Sequence, residues 1–117
     1  MAKIIDGKAI SAEVRAEIKA ETEKFTSESG ITPGLAVIIV GSNPASQVYV
    51  RNKKRACEEV GFFSSVIEMP DTASEEELLT KIAELNSDEK IHGILVQLPL
   101  PKHISEEKVI LAIDPKK

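Results

Sequence analysis

Apolar residues recur along the chain with a spacing that changes several times, and each change marks a new element. One face of the first periodic segment carries the apolar residues Ile10, Val14, Ile18 and Phe25. Asp6 precedes this segment as a helix-capping residue type, and Gly30 follows it as a common helix terminator. The spacing therefore predicts a first helix over residues 6–29.

A continuous run of mostly β-branched residues follows at 34–41, bracketed by glycines. Such a run is typical of a strand that is buried on both faces of a parallel sheet. Asn43 and Pro44 then form the signature of a helix start, with a capping side chain before a proline at the first position. This second helix would end at Gly61, and residues 62–69 predict a weaker second strand.

The second half of the chain repeats the alternation of helix and strand. Ser74 and the three glutamates after it fit a capping box, and an apolar stripe follows it at Leu78, Ile82 and Leu85. The apolar run 91–96 predicts a third strand. Ser105 opens a last short helix that extends to about Ala112, and Pro115 would end it.

This order of elements predicts an α/β fold, a three-layer α/β/α sandwich around a small, mainly parallel sheet with right-handed crossovers. If the first strand lies between the other two, the strand order is flavodoxin-like. Three or four strands make a small sheet for an independent domain of this kind. We therefore expect the chain to be one lobe of a larger protein.

Composition and charge argue against several classes of function. The 117 residues carry 15 Lys and Arg against 19 Asp and Glu, a net charge of −4, which argues against a nucleic-acid partner. No apolar stretch approaches the roughly 20 residues of a membrane span, and the start of the chain shows no signal-peptide pattern. A single cysteine forms no internal disulfide, and with two histidines it is too little for a zinc site. We expect a cytoplasmic protein without a bound metal.

Three polar residues stand where a parallel sheet binds its ligands, outside the carboxyl ends of the strands. Tyr49 and Lys53 are four residues apart at the start of the second helix, so they share one face. Gln97 ends the third strand, and an amide at that position needs hydrogen-bond partners or a ligand. In the flavodoxin-like order Gln97 lies beside the other two, and the three residues make a small-molecule site.

The same residues have structural interpretations. A tyrosine and a lysine on a helix are commonly a half-buried ring and a solvated charge, and Gln97 could simply cap the next turn. Cys57 lies on an apolar face, which is typical of a core residue rather than a nucleophile. Gly41 stands alone, without a glycine-rich phosphate-binding motif, so a nucleotide site is not supported. His92 is expected to enter the third strand, and His103 to lie in a surface loop.

Three segments resemble the methylenetetrahydrofolate dehydrogenase/methenyltetrahydrofolate cyclohydrolase family: 44–53, 56–61 and 96–101. The stretch 75–100 also resembles that family's long signature, and the resemblance covers essentially the whole chain. Members of the family carry a second, Rossmann-type lobe that binds NADP or NAD, with a Pro-Gly-Gly-Val-Gly-Pro motif. We therefore expect residues 1–117 to be the N-terminal folate-binding and catalytic domain of a two-lobe enzyme, with the NAD(P)-binding domain absent from this chain.

The resemblance implies a role for each matching residue. Lys53 would be the catalytic acid/base, Gln97 would orient Lys53 and the pterin, and Tyr49 would stack on the aromatic part of the folate. The implied catalytic and substrate-binding residues are Ser46, Tyr49, Val50, Arg51, Asn52, Lys53, Val96, Gln97 and Leu98. Of these, Val96 and Leu98 would contact the pterin edge through their backbone.

The activity that the resemblance implies belongs to folate one-carbon metabolism, which supplies purine biosynthesis. The full protein would oxidise methylenetetrahydrofolate with NADP and hydrolyse methenyltetrahydrofolate to formyltetrahydrofolate. The partner would be a small-molecule folate. NADP or NAD would be held by the missing domain and not by this chain. The full protein is expected to be a homodimer. Two alternatives stay open: a folate-binding module without turnover, and a flavodoxin-like interaction domain, which predicts acidic residues clustered at the strand ends.

Overall fold

The computed structural model describes residues 3–117 and arranges them in the order that the apolar pattern predicts. The helices are α1 (Gly7–Ser29), α2 (Pro44–Val60), α3 (Glu75–Asn86) and α4 (Glu106–Ala112). The strands are β1 (Gly34–Val40), β2 (Phe63–Met69) and β3 (Gly93–Val96). All the predicted elements are therefore confirmed, and the largest difference in a strand boundary is at the start of β3.

The centre of the domain is a parallel sheet with the strand order β2-β1-β3. Val37 of β1 pairs with Val66 of β2 on one side and with Leu95 of β3 on the other. Because β1 has a neighbour on each side, its residues from Ala36 to Val40 are at most 5% exposed. The flavodoxin-like position of the first strand, between the other two, is confirmed.

Helices cover both faces of this sheet. On one face, Val50 of α2 packs against Val37 and Ile39. Alternate residues of a strand point to opposite faces, so Ile38 is buried on the other face, with the α3 and α4 side chains Leu78, Ile82 and Val109. The three-layer α/β/α sandwich is thus confirmed, and the larger of the two cores lies on the side of α3 and α4.

Short-range hydrogen bonds and glycines set the helix ends where the sequence predicts them. The Asp6 carboxylate accepts hydrogen bonds from the backbone N–H groups in the first turn of α1. The Asn43 side chain accepts one from the Ser46 N–H at 3.1 Å. Gly30 and Gly61 end α1 and α2 with φ angles of 73° and 87°, a left-handed conformation that glycine adopts without steric cost.

The start of α3 is both a local cap and a tertiary contact. The Ser74 hydroxyl accepts a hydrogen bond from the Glu77 N–H at 3.1 Å, which is one half of the predicted capping box. The Glu75 carboxylate in the same turn accepts a hydrogen bond from the Ser105 N–H at 2.8 Å. Glu75 therefore ties the first turn of α3 to the residue that caps α4.

The start of β3 differs from the prediction. The strand begins at Gly93 and not at Ile91, so the expectation that His92 enters the strand is wrong. The His92 N–H donates to the Gly34 carbonyl at 2.8 Å, and the Gly34 N–H donates to His92 Nδ1 at 2.9 Å. An imidazole nitrogen thus replaces the backbone acceptor that a longer strand would supply. His103 lies in an exposed turn, as expected.

The first helix packs differently from the others. It contacts α2, where the Arg15 Nε lies 3.7 Å from a carboxylate oxygen of Glu59. Only Thr22 among the α1 residues is buried. The predicted apolar face is present, but Ile10, Val14 and Phe25 are each 45–48% exposed.

Candidate active site at the carboxyl end of the sheet

The first turns of α2 present three side chains at the edge where parallel sheets bind ligands. Ser46 is 4% exposed, and its hydroxyl donates to the Leu98 carbonyl at 3.4 Å. One turn further along, the Tyr49 side chain is 56% exposed. Lys53 follows after another turn and is half-buried. This edge therefore offers an open aromatic face beside an amine that is partly shielded from water.

A direct hydrogen bond joins α2 to the end of β3. The Lys53 Nζ donates to the Gln97 Oε1 at 2.6 Å. This distance is at the short end of the range for a hydrogen bond between nitrogen and oxygen. The two residues are 44 positions apart in the sequence, and the strand order β2-β1-β3 is what brings them together.

Two more hydrogen bonds determine how the Gln97 amide is oriented. Its backbone N–H donates to the Ile38 carbonyl of β1 at 2.8 Å. Its side-chain Nε2 donates to the Leu98 carbonyl at 3.2 Å. Because Nε2 is engaged there, the amide oxygen is the atom that faces Lys53; the flipped amide would set two donors against each other.

The Leu98 carbonyl has a role that the sequence analysis missed. It accepts hydrogen bonds from both Ser46 and Gln97, although only its backbone contact with a ligand was expected. The Ile38 carbonyl, which holds the Gln97 backbone, was missed as well. This contact follows from the parallel register that pairs Ile38 with Val96, which the sequence does not show.

The other predicted binding residues are distributed around α2. The side chains of Val50 and Val96 are buried, each in one of the two cores. Arg51 and Asn52 are exposed. Arg51 lines a groove of about 410 Å³ between α2 and β2, together with Gln47, Lys54 and Glu68. Hydrogen bonds thus connect Ser46, Lys53, Gln97 and Leu98, while Arg51 borders a separate groove.

The single cysteine is part of the core. Cys57 is buried in α2, as its apolar surroundings predict. Burial raises the pKa of the Cys57 thiol, and the negative charge of Glu58 raises it further. The thiol therefore stays protonated at neutral pH, which makes it a poor nucleophile.

Residues 3–117 show neither a metal-ligand cluster nor a membrane-spanning helix. Within this range, no group of three or more His, Cys, Asp or Glu side chains is arranged to hold a metal ion. None of the helices described is both long enough and apolar enough to cross a bilayer.

These features define a class of protein: a parallel α/β domain with a lysine–amide pair and an open aromatic ring at the carboxyl edge of its sheet. A family profile described as tetrahydrofolate dehydrogenase/cyclohydrolase, catalytic domain, matches residues 5–117. The chain belongs to that family, as the resemblance of its sequence motifs predicts.

Individual relatives agree with this assignment. The bifunctional protein FolD of Moorella thermoacetica is 64% identical over 112 residues, which cover 96% of this chain and 40% of that protein. A crystal structure of the bifunctional enzyme FolD, a methylenetetrahydrofolate dehydrogenase/cyclohydrolase from Campylobacter jejuni, matches 96% of this chain and 39% of its own, with a TM-score of 0.92 and 47% identity.

A more distant structure is similar as well. The Trypanosoma brucei N5,N10-methylenetetrahydrofolate dehydrogenase-cyclohydrolase, complexed with NADP cofactor and inhibitor, matches at 36% identity with a TM-score of 0.95. That match covers 99% of this chain and 40% of the trypanosomal one. The present chain therefore spans about 40% of the length of the relatives that it matches.

Proposed function

We propose that this chain is the N-terminal, folate-binding and catalytic domain of a longer enzyme. That enzyme would oxidise methylenetetrahydrofolate with NADP and hydrolyse methenyltetrahydrofolate to formyltetrahydrofolate. The observation that carries the proposal is the 2.6 Å bond from Lys53 to Gln97 beside the open ring of Tyr49. The names of the Campylobacter and Trypanosoma relatives, which combine dehydrogenase and cyclohydrolase, support the same pair of reactions.

The hydrolytic step assigns a proton-transfer role to Lys53. Water would attack the methenyl carbon between the two folate nitrogens, and one of the carbon–nitrogen bonds would then break. The Lys53 amine would accept a proton from the water and return one to the departing nitrogen, while the second water proton goes to solvent. Gln97 would hold the amine in place, and Tyr49 would stack on the flat part of the substrate.

The nicotinamide cofactor does not fit the turn after β1 in this chain. That turn carries a single glycine, Gly41, before Asn43. The N-terminus of α2 begins with Pro44, which has no N–H group, and the Ser46 N–H is already bonded to Asn43. A phosphate would find few free donors there. We therefore propose that NADP or NAD is held by a second, Rossmann-type domain outside these 117 residues.

The wider setting is part of the same proposal. The longer enzyme would act in the cytoplasm, in the one-carbon metabolism that supplies purine synthesis, and would form a homodimer. The single, unpaired cysteine fits a reducing compartment. Light scattering of the longer protein tests the dimer, and a monomer at micromolar concentration would contradict it.

Folate binding can be followed through the fluorescence of Tyr49. The chain has one tyrosine and no tryptophan, so its emission reports one side chain. We expect a reduced folate to quench this emission saturably, because the ligand would stack on the ring. The affinity should be modest, because ring stacking contributes only about 0.5–1.5 kcal/mol beyond burial and the chain is part of a longer site.

Two variants separate stacking from nonspecific quenching. Tyr49→Phe keeps the ring and should keep the affinity, while Tyr49→Ala should lose most of it. Binding to these variants is measured from backbone amide shifts around Lys53 and Gln97. If Tyr49→Ala binds as tightly as the unchanged chain, or the shifted amides lie elsewhere, the folate site is wrongly assigned.

Removing the Gln97 amide should affect rate more than binding. In the longer enzyme, we expect Gln97→Ala to lower the cyclohydrolase kcat by about 10²-fold, because a misplaced catalytic group loses about that much. KM should change by less than about threefold, since the ring of Tyr49 would still bind the folate. Steady-state kinetics measures both constants; a large rise in KM with kcat unchanged would make Gln97 a substrate anchor instead.

A further inference from the structure

The candidate site depends on the loop that joins β3 to α4. We call residues 97–105 the β3–α4 loop. It begins with Gln97, which accepts the hydrogen bond from Lys53, and with Leu98, whose carbonyl accepts one from the Gln97 amide. The Leu98 side chain is 40% exposed, so its own packing does little to fix this carbonyl. The position of the carbonyl therefore depends on how the rest of the loop is held.

Two buried side chains anchor the loop in the core. Leu100 and Ile104 pack into the larger core, on the side of α3 and α4. Apolar packing is non-directional, so it fixes the depth of these side chains but leaves the direction of the backbone between them open. Hydrogen bonds to the backbone N–H groups of the loop supply that direction.

The first of these bonds comes from the start of α4. Pro99 and Pro101 have no N–H group, so the Leu100 N–H is the only backbone donor among residues 99–101. It makes a long hydrogen bond of 3.4 Å to the Glu106 Oε1. Glu106 is the first residue of α4, so its side chain reaches back over the loop. The bond lies two residues from the Leu98 carbonyl.

The start of α3 holds the far end of the loop. The Glu75 Oε1 accepts the Ser105 N–H at 2.8 Å, and the Glu75 Oε2 lies 3.8 Å from the Lys108 Nζ. Beside this contact, the His103 Nε2 lies 2.7 Å from the Ala73 carbonyl oxygen. Residues 73–75 thus fix the loop at two points close to α4.

Neither carboxylate is needed to cap its own helix. The hydroxyls of Ser74 and Ser105 already accept N–H groups from the first turns of α3 and α4. A glutamate in a first turn also stabilises the helix through the helix dipole, without a hydrogen bond to another segment. The contacts of Glu75 and Glu106 with the β3–α4 loop therefore serve the loop and not the caps.

We propose that Glu75 and Glu106 are positioning residues for the candidate active site. Their carboxylates hold the β3–α4 loop, and with it the Leu98 carbonyl that orients the Gln97 amide. Through this amide they keep the Lys53 amine in place for proton transfer. The inference rests on the proposed cyclohydrolase function, and it assigns to the two carboxylates no contact with the folate.

Substitutions of the two glutamates in the longer enzyme test this role. We expect Glu75→Ala and Glu106→Ala each to lower the cyclohydrolase kcat about tenfold and to change KM by less than about threefold, because a displaced loop misplaces the catalytic group. Glu75→Gln and Glu106→Gln should keep most of kcat, since an amide oxygen still accepts the N–H bond. Losses as large for glutamine as for alanine would overturn the proposal.

The neighbouring glutamates provide the matched controls. Glu76 and Glu107 are exposed and lie in the same first turns of α3 and α4. Glu76→Ala and Glu107→Ala remove the same charge from the same helix ends, so they match any loss that comes from the helix dipole. They should change kcat by less than about twofold. Control variants as slow as Glu75→Ala and Glu106→Ala would contradict a positioning role.

A double variant shows whether Glu106 acts through Gln97. Combined with Gln97→Ala, Glu106→Ala should cost less than about threefold in kcat beyond Gln97→Ala alone, because the amide that the loop orients is already gone. If the two losses multiply in full, Glu106 acts independently of Gln97 and the proposal is wrong.

Amide spectra of the 117-residue chain test the positioning without turnover. Glu106→Ala should shift the side-chain amide signals of Gln97 and the backbone signal of Leu98, and Glu107→Ala should leave both in place. Hydrolysis of methenyltetrahydrofolate by the longer enzyme without these shifts would overturn the positioning role. Shifts without any hydrolysis by the unchanged longer enzyme would overturn the proposed function instead.

Discussion

Replacing Lys53 by methionine in the longer enzyme is expected to lower cyclohydrolase turnover by roughly 10²–10⁴-fold, the usual contribution of a general acid–base group. Methionine keeps the length and the helix propensity of the side chain but removes the amine that donates to Gln97. The fold should survive, because Lys53 is half-buried at the edge of the sheet and its stem can pack as before. Initial rates of methenyltetrahydrofolate hydrolysis measure the loss.

Lys54→Met provides the control in the neighbouring position. Lys54 is exposed and lines the groove between α2 and β2, away from Gln97. Its replacement should change turnover by less than about threefold, since general acid–base effects require hydrogen-bond reach of the substrate. A loss below about tenfold for Lys53→Met, or equal losses for the two variants, would show that Lys53 does not transfer the proton.

Gly34→Ala is expected to destabilise the isolated chain by about 3 kcal/mol or more, a value typical of severe overpacking. A Cβ at Gly34 would collide with the backbone carbonyl of Lys90. That carbonyl belongs to a turn held by the hydrogen bond from the Lys90 N–H to Asp88 at 2.9 Å, so it cannot move away easily. Either the turn or the bonds between Gly34 and His92 must break. Urea unfolding followed by circular dichroism measures the change.

Gly7→Ala is the matched control for this substitution. Apart from the chain neighbours of Gly7 and the backbone of its own helix, no atom lies within 4 Å of the position that a Cβ on Gly7 would take at the start of α1. Alanine there should raise the free energy of unfolding by less than about 1 kcal/mol, because it restricts the conformations of the unfolded chain and has a higher helix propensity than glycine. If Gly34→Ala lowers the free energy of unfolding by no more than Gly7→Ala changes it, the close approach of the Lys90 carbonyl does not constrain β1.

Much of the candidate site could be predicted because its parts are local. Tyr49 and Lys53 are one turn apart on any α-helix, and the cap at Asn43 makes the helix start where it does. The position of Gln97 at a strand end follows from the apolar run that precedes it. What the sequence could not supply is the contact itself, since the Lys53–Gln97 bond depends on which strand lies next to β1.

The limits of the sequence are clearest where two distant segments meet. The Leu98 carbonyl accepts hydrogen bonds from Ser46 and Gln97. Every residue has a backbone carbonyl, so the residue types do not indicate which carbonyl takes this role. His92 looked like a strand residue because its apolar neighbours continue the pattern, but its ring bonds Gly34 and the strand begins one residue later. At His92, a tertiary hydrogen bond overrides the local pattern.

The sequence by itself determined the order and type of the elements and the ends of the helices, because helix caps, glycine terminators and apolar spacing act over a few residues. It also placed the lysine, the ring and the amide at one edge of the sheet. The tertiary structure alone decided which atoms of that edge bond to one another and which face of α1 stays open to solvent. Hydrogen-bond partners and burial depend on the packing of segments far apart in the chain, and no local pattern encodes that packing.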